Sequence, residues 1–211
     1  MIPRTIHQVW IGPDTPPFDM MMSWQSAHPE WDYRLWREDD IPDMGLSEQA
    51  QKLVDAYVAD GRYCGAVNVM RAFILYNHGG VYIDADMECG HKLDDAWFIR
   101  DHSCFISQSP HEPTRSQNAA MGCIKYSAIM GIYCQKLNEV SIKDIHPSWQ
   151  KTGAVLFDEV RVQLPKQIGF VPSPAFHPYN KFGSLNPMIR NYVGHIYAKH
   201  HFYSTNHRRM V

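Results

Sequence analysis

Apolar positions recur along the chain in short runs that switch between a period of two and a period near 3.6. Thr5 to Ile11 (TIHQVWI) is rich in β-forming residues and is stopped by Gly12–Pro13, which predicts a first strand. Pro16 and Pro17 open a segment, Phe18 to Ala27, that predicts a short helix ending before His28–Pro29. Tyr33 to Trp36 alternates as a second strand, and Leu46, Ala50, Leu53, Val54 and Tyr57 fall on one face of a helix over 46–59. The stretch from Ala66 to Asn77 is apolar around nearly its whole circumference apart from Asn68 and Arg71, and Gly79 is placed to cap it. A strand Val81–Ile83 follows at once; Cys104–Ser107 and Ile168–Val171 predict further strands and Ala128–Leu137 a helix. Beyond Pro172, mixed Pro, Gly, Asn and aromatic residues predict ordered loops covering a site. With no repeat, linker or low-complexity tract, the alternation predicts one α/β domain over residues 1–211 with a mostly parallel central sheet.

Composition narrows the classes. At 211 residues the chain holds one substantial core, with 45% hydrophobic and 20% charged residues, near the averages of soluble globular proteins. A formal charge of −2 gives no electrostatic reason to expect nucleic acid or an anionic membrane. Five cysteines without a C-x-x-C spacing argue against a disulfide framework and a zinc knuckle and fit a reducing compartment. No run approaches the roughly 20 apolar residues that span a bilayer, and the start MIPRTIHQVW lacks a secretory core, so the expected location is cytoplasmic. The stretch Met20–Met21–Met22–Ser23–Trp24 reads as core, since its neighbours supply no basic face for lipid headgroups.

The chemistry gathers at NHGGVYIDADME, residues 77–88. Ligands of open α/β sheets lie beyond the carboxyl ends of the strands, so Val81–Tyr82–Ile83 delivers Asp84 and Asp86 to the ligand side. Two carboxylates one residue apart suit a hard divalent cation such as Mg²⁺ or Mn²⁺, which in turn grips phosphates. Chance alone yields a D-x-D triplet about once in a chain of this size; its place after a glycine pair and a buried strand is what gives it weight. Arg71, in an otherwise apolar helix, needs an anionic or polar partner. Asn68, three residues earlier, shares its face. A purely structural Arg71–Asp84 tie between helix and strand is the plain alternative.

These residues resemble the DxD glycosyltransferases of the Och1-like and capsular-polysaccharide type, glycosyltransferase family 32, which share a sugar-binding region with the clostridial glucosylating toxins. Ile2 to Gly12 (IPRTIHQVWIG) is similar to the family's opening strand, and Arg71 to Asp86 (RAFILYNHGGVYIDAD) to its R-x-x-x-L-Y-x-x-GG-x-Y-x-D-x-D core. Thr152–Gly153 stands where the family has a TGP turn, and Ala198–Lys199–His200–His201–Phe202 is similar to a C-terminal His-x-aromatic segment.

The resemblance implies a GT-A, Rossmann-like fold, a nucleotide-sugar donor (UDP- or GDP-linked, UDP being the first choice), a divalent cation, Mn²⁺ or Mg²⁺, a glycan-type acceptor and transfer with retention at the anomeric carbon. It implies that Trp10 stacks on the base, that Arg71 holds the donor's sugar or diphosphate, that Asp84 contacts ribose and sugar hydroxyls, and that Asp86 binds the metal. Asp84, Asp86 and Arg71 would thus carry catalysis. His200 would be the C-terminal metal ligand, with His201 as its rival, and an imidazole there favours Mn²⁺. Two positions depart from the pattern: Asn68 stands where the family has an acid, so it could hydrogen-bond a sugar hydroxyl without charge, and Ser204–Thr205–Asn206 replaces the family's closing Ser-Trp. Two other readings stay open: a haloacid-dehalogenase-like phosphatase, in which the first Asp is a nucleophile, and a nucleotide-sugar-binding domain without turnover. The donor's base and sugar, the identity of the acceptor and a general base do not follow from these residues.

Overall fold

A computed structural model describes residues 1–202. In chain order the elements are β1 (Thr5–Val9), α1 (Phe18–Ala27), β2 (Asp32–Trp36), α2 (Glu48–Ala59), α3 (Tyr63–His78), β3 (Gly80–Ile83), β4 (Met87–Cys89), α4 (Trp97–Arg100), β5 (Cys104–Gln108), β6 (Ser116–Cys123), α5 (Ala128–Glu139), α6 (Ser148–Lys151), α7 (Ala154–Arg161), β7 (Ile168–Val171) and β8 (Ala198–His200). Six strands form one sheet in the order β2-β1-β3-β6-β5-β7, and β4 and β8 form a separate two-stranded ribbon. β1 runs parallel to both β2 and β3, and β5 parallel to β7, while β6 is antiparallel to each of its neighbours. The expected mostly parallel α/β sheet is therefore present, with one reversed strand at its centre.

Each face of the sheet carries its own apolar layer. Tyr82, Ile106 and Met121 face α2, α3, α5 and α7, whereas Val81, Ile83, Phe105 and Ala120 face a second layer with Trp24, Phe98, Phe176 and Tyr197. The strand's two-residue period sorts β3 in this way. α1 is amphipathic: Met21 and Trp24 are buried while Phe18 and Met22 are exposed, so only half of the methionine-rich stretch is core. The Trp24 indole donates to the Met87 carbonyl at 2.8 Å, tying α1 to β4.

The glycine pair has a steric reason. Gly79 and Gly80 both have positive φ, and a Cβ on Gly80 would stand 2.7 Å from the Thr5 carbonyl oxygen. α3 thereby ends and β3 begins against β1 with almost no connection. Among the described residues no helix is long and apolar enough to cross a membrane. The five cysteines are free thiols.

Candidate active site

β3 ends in a turn, closed by the Met87 amide donating to the Asp84 carbonyl at 3.1 Å. Asp84 lies two residues beyond Tyr82 and so faces α3. There the Arg71 guanidinium sits 3.2 Å from its Oδ1, and the Tyr82 hydroxyl donates to the same oxygen at 2.8 Å. Arg71 is 4% exposed, lies 4.5 Å over the Tyr82 ring, and donates to the carbonyls of Val67 and Asn118. Burial disfavours its charge, and Asp84 together with Tyr82, Tyr133 and Cys64 more than offsets this, holding the guanidinium above its ordinary value. Burial also pushes the Asp84 carboxyl above the usual range; Arg71 opposes this and Asp86 adds to it. A buried ion pair is costly to break from one side, by about 3–5 kcal/mol. The tie between helix and strand is thus real.

Asp86 and His200 meet because of the ribbon. β4 and β8 pair with Met87 opposite His200, and the His201 amide donates to the Asp86 carbonyl at 3.0 Å. The His200 imidazole then lies 3.1 Å from Asp86 Oδ1, both side chains being almost fully buried. Burial works against charge on His200, but the charge and hydrogen bond of Asp86, with Asp84 beside it, outweigh it and raise the imidazole above its ordinary value. Asp84, Asp86 and His200 each offer one ligand atom, and those atoms lie within 4.8 Å of one another. Two carboxylates and one imidazole are a donor set suited to Mn²⁺. His201 does not belong to this group: strand alternation turns it to the other side of β8, where its ring pairs with Glu88 at 3.0 Å. Glu88 thus engages the His201 imidazole, while the converging ligand atoms come from Asp84, Asp86 and His200.

The remaining predicted residues fall around this core. Trp10 follows β1 at the same sheet edge as Asp84, half-buried, its indole donating to the Asp14 carbonyl at 2.8 Å. Asn68 is buried and its Oδ1 accepts from Asn118 Nδ2 at 3.0 Å. Gly153 precedes α7, and a Cβ there would meet Asn68 Nδ2 at 3.1 Å and the Trp149 backbone at 2.8 Å. The Thr152–Gly153 turn is also anchored by the Tyr133 hydroxyl, which donates to the Thr152 carbonyl at 2.6 Å. Ser204–Thr205–Asn206 lie outside the described residues.

Several participants had not been singled out from the sequence. Asn118, on β6, links Arg71 and Asn68. Gln8, buried in β1, accepts from the Tyr33 hydroxyl and donates to the Asp84 carbonyl. His177 is fully buried, its ring centroid 5.3 Å from that of His200, and burial keeps it well below the ordinary imidazole value. A cavity of about 340 Å³ opens beside His200, lined by Tyr179, Asn180, Lys181, Lys199 and Phe202 among others. A larger one, about 570 Å³, lies at the far end of α3 between Tyr76, Asn77 and Gly131, and has no carboxylate or imidazole in its wall.

Comparison with known proteins agrees with this arrangement. Residues 18–105 match the family described as glycosyltransferase sugar-binding region containing DXD motif. The chain is 30% identical over 117 residues to inositol phosphoceramide mannosyltransferase 3 of Schizosaccharomyces pombe, a match covering 51% of this chain and 32% of that protein. The matched segments span about a third of the length of the curated relatives. Among solved structures, the PaToxG glycosyltransferase superposes with a TM-score of 0.65 at 13% identity over 77% of this chain and 69% of that one. The UDP-bound glycosyltransferase domain of the YGT toxin gives 0.56 at 9% identity, covering 80% and 79%. The likeness to DXD glycosyltransferases carried by the sequence is borne out, and the fold is GT-A.

Proposed function

We propose, for a chain that carries the sugar-binding region of the DXD glycosyltransferases, that it transfers a hexosyl group from a nucleoside-diphosphate sugar to a hydroxyl acceptor, with retention at the anomeric carbon. The observation that carries this reading is the convergence of Asp84, Asp86 and His200 beside the Arg71–Asp84 pair at the carboxyl edge of the sheet. Asp86 and His200 would hold a divalent cation, with Asp84 next to it. When bound, such a cation supplies Lewis-acid neutralisation of a departing diphosphate, an effect worth several kcal/mol.

The chain's own residues do the rest. Arg71 is a fixed cation whose position is set by four separate contacts, so it needs no rearrangement as charge develops. Asp84 is held by Arg71 and Tyr82 and keeps its second oxygen for donor hydroxyls, near a centre that becomes oxocarbenium-like. Asn68 and Asn118 set a neutral amide wall beside it. Trp10, at the end of β1, stacks on the base.

The donor's nucleoside is taken as uridine, the one that the YGT toxin domain binds. The mannosyltransferase relatives make mannose the first sugar to try, and the inositol phosphoceramide of their names extends the acceptor class from glycans to phosphoinositol lipids.

The test is a screen of UDP- and GDP-hexoses for release of free nucleotide, with and without Mn²⁺. Release that requires Mn²⁺ and disappears in Asp86→Asn is the expected result. Hydrolysis of an aryl phosphate in place of any donor would favour the phosphatase, and donor binding without turnover would favour the binding domain.

A further inference from the structure

Among the described residues, four buried side-chain polar atoms have no hydrogen-bond partner, and two of them are His177 Nδ1 and His200 Nδ1. Such atoms are rare in folded chains and each asks for a reason. Here they belong to facing imidazoles, with ring centroids 5.3 Å apart and planes at 46°. Phe202 stacks on His200 at 4.0 Å and lies 6.4 Å from the His177 ring, and both nitrogens are shut off from bulk solvent.

The tautomer of His177 can be worked out from its other nitrogen. Nε2 lies 3.3 Å from Ser107 Oγ, and that hydroxyl gives its only proton to the Gln117 carbonyl at 2.7 Å. Ser107 therefore has only lone pairs left for the ring, so His177 carries its proton on Nε2 and presents a bare lone pair at Nδ1. Its backbone is pinned as well: the His177 amide donates to the Ser173 carbonyl at 2.8 Å, and Asn186 Nδ2 donates to the His177 carbonyl at 2.8 Å. The acceptor is built in. His200, in turn, directs Nε2 at Asp86, so a proton on this imidazole that leaves Nε2 free for a ligand must sit on Nδ1.

We propose that His177 is the positioning residue for His200, accepting its Nδ1–H at Nδ1, directly or through one bound water, and so fixing the tautomer that turns the Nε2 lone pair toward a cation. His177 is not among the three residues whose ligand atoms converge, so it acts through His200. Histidines that bind metals commonly donate their second ring N–H to an outer partner, and losing that partner weakens metal binding by 10–100-fold. A neutral imidazole locked by a serine takes the place of the usual carboxylate or carbonyl. The inference rests on the cation reading given above.

The test is a titration of the full chain with Mn²⁺ alone, free Mn²⁺ being counted by electron paramagnetic resonance. His177→Gln can still reach Ser107 but offers no acceptor at the Nδ1 position, and it should bind Mn²⁺ about tenfold more weakly. His177→Asn keeps an acceptor there and should stay within about threefold of the unaltered chain. Ser107→Ala, which frees the His177 tautomer, should fall between them. Circular dichroism confirms that each variant is folded. In the Mg²⁺-loaded chain the His200 Nδ1 proton should be visible by ¹⁵N-correlated NMR, and in His177→Gln it should be lost to exchange. Equal affinities for all three variants and the unaltered chain, or the same loss in Asn as in Gln, would overturn the proposal while leaving the cation site standing. Failure of the unaltered chain to bind Mn²⁺ would remove both.

Discussion

Two groups of buried imidazoles lie in this fold, one on the sheet and one beside the β4–β8 ribbon, and they are finished differently. His7, in β1, donates from Nε2 to the Gly79 carbonyl at 2.9 Å and accepts at Nδ1 from the Trp36 indole at 3.1 Å, so both ring nitrogens are satisfied inside the protein. Trp36 and His78 close around it. His177 and His200, beside the ribbon, each keep a nitrogen without a partner beside two carboxylates. A closed polar network rigidifies a fold; an open one, held in place by the same kind of scaffold, is built to receive something. The contrast separates a histidine that orders the helix–strand junction from a histidine that waits for a ligand.

The contrast can be broken first at its open end. Asp86→Ala should lower metal-dependent nucleotide release by about 10³-fold or more, given the several kcal/mol that a cation contributes, while circular dichroism still shows the folded α/β content. Unchanged turnover would refute the role of the site. Arg71→Met strikes the junction between the two regions. It leaves Asp84 buried without its cation and should cost about 3–5 kcal/mol in urea unfolding. A loss under about 1 kcal/mol would mean that the ion pair is solvated.

The closed end answers to pH. Burial holds His7 down to about 4 from an ordinary 6.5. The unfolded chain therefore takes up the proton first, and the stability that His7 contributes is complete above pH 6.5 and drains away as pH falls toward 4. The loss should be roughly 3 kcal/mol, read as a falling urea midpoint, and it should shrink in His7→Gln. The smallest effect belongs to ligand addition. Mn²⁺ at 100 times its dissociation constant should add about 2.7 kcal/mol to unfolding, and none in Asp86→Ala.

Much of this architecture could be read from the residues in order. Helix Phe18–Ala27 and strand Ile168–Val171 lie where expected because prolines and a polar break punctuate them. Arg71, Asp84 and Asp86 were legible because a lone cation in an apolar helix and paired acids after an apolar strand contradict their surroundings. β6 (SQNAAMGC) escaped because it has neither β-branched residues nor alternation; its burial from both faces and its central position supply what propensity lacks. The choice between His200 and His201 depended on the parity of a three-residue strand whose partner lies far back in the chain, and no local pattern carries that. His177 and Asn118 were silent for a related reason: their meaning comes from neighbours brought in by the sheet.

The ribbon that sets Met87 against His200 has a consequence in time. As the polypeptide leaves the ribosome, Asp84 and Asp86 emerge well before the imidazole of His200. A nascent chain can thus complete its six-stranded scaffold while still unable to capture an ion, and the docking of β8 on β4 switches that ability on.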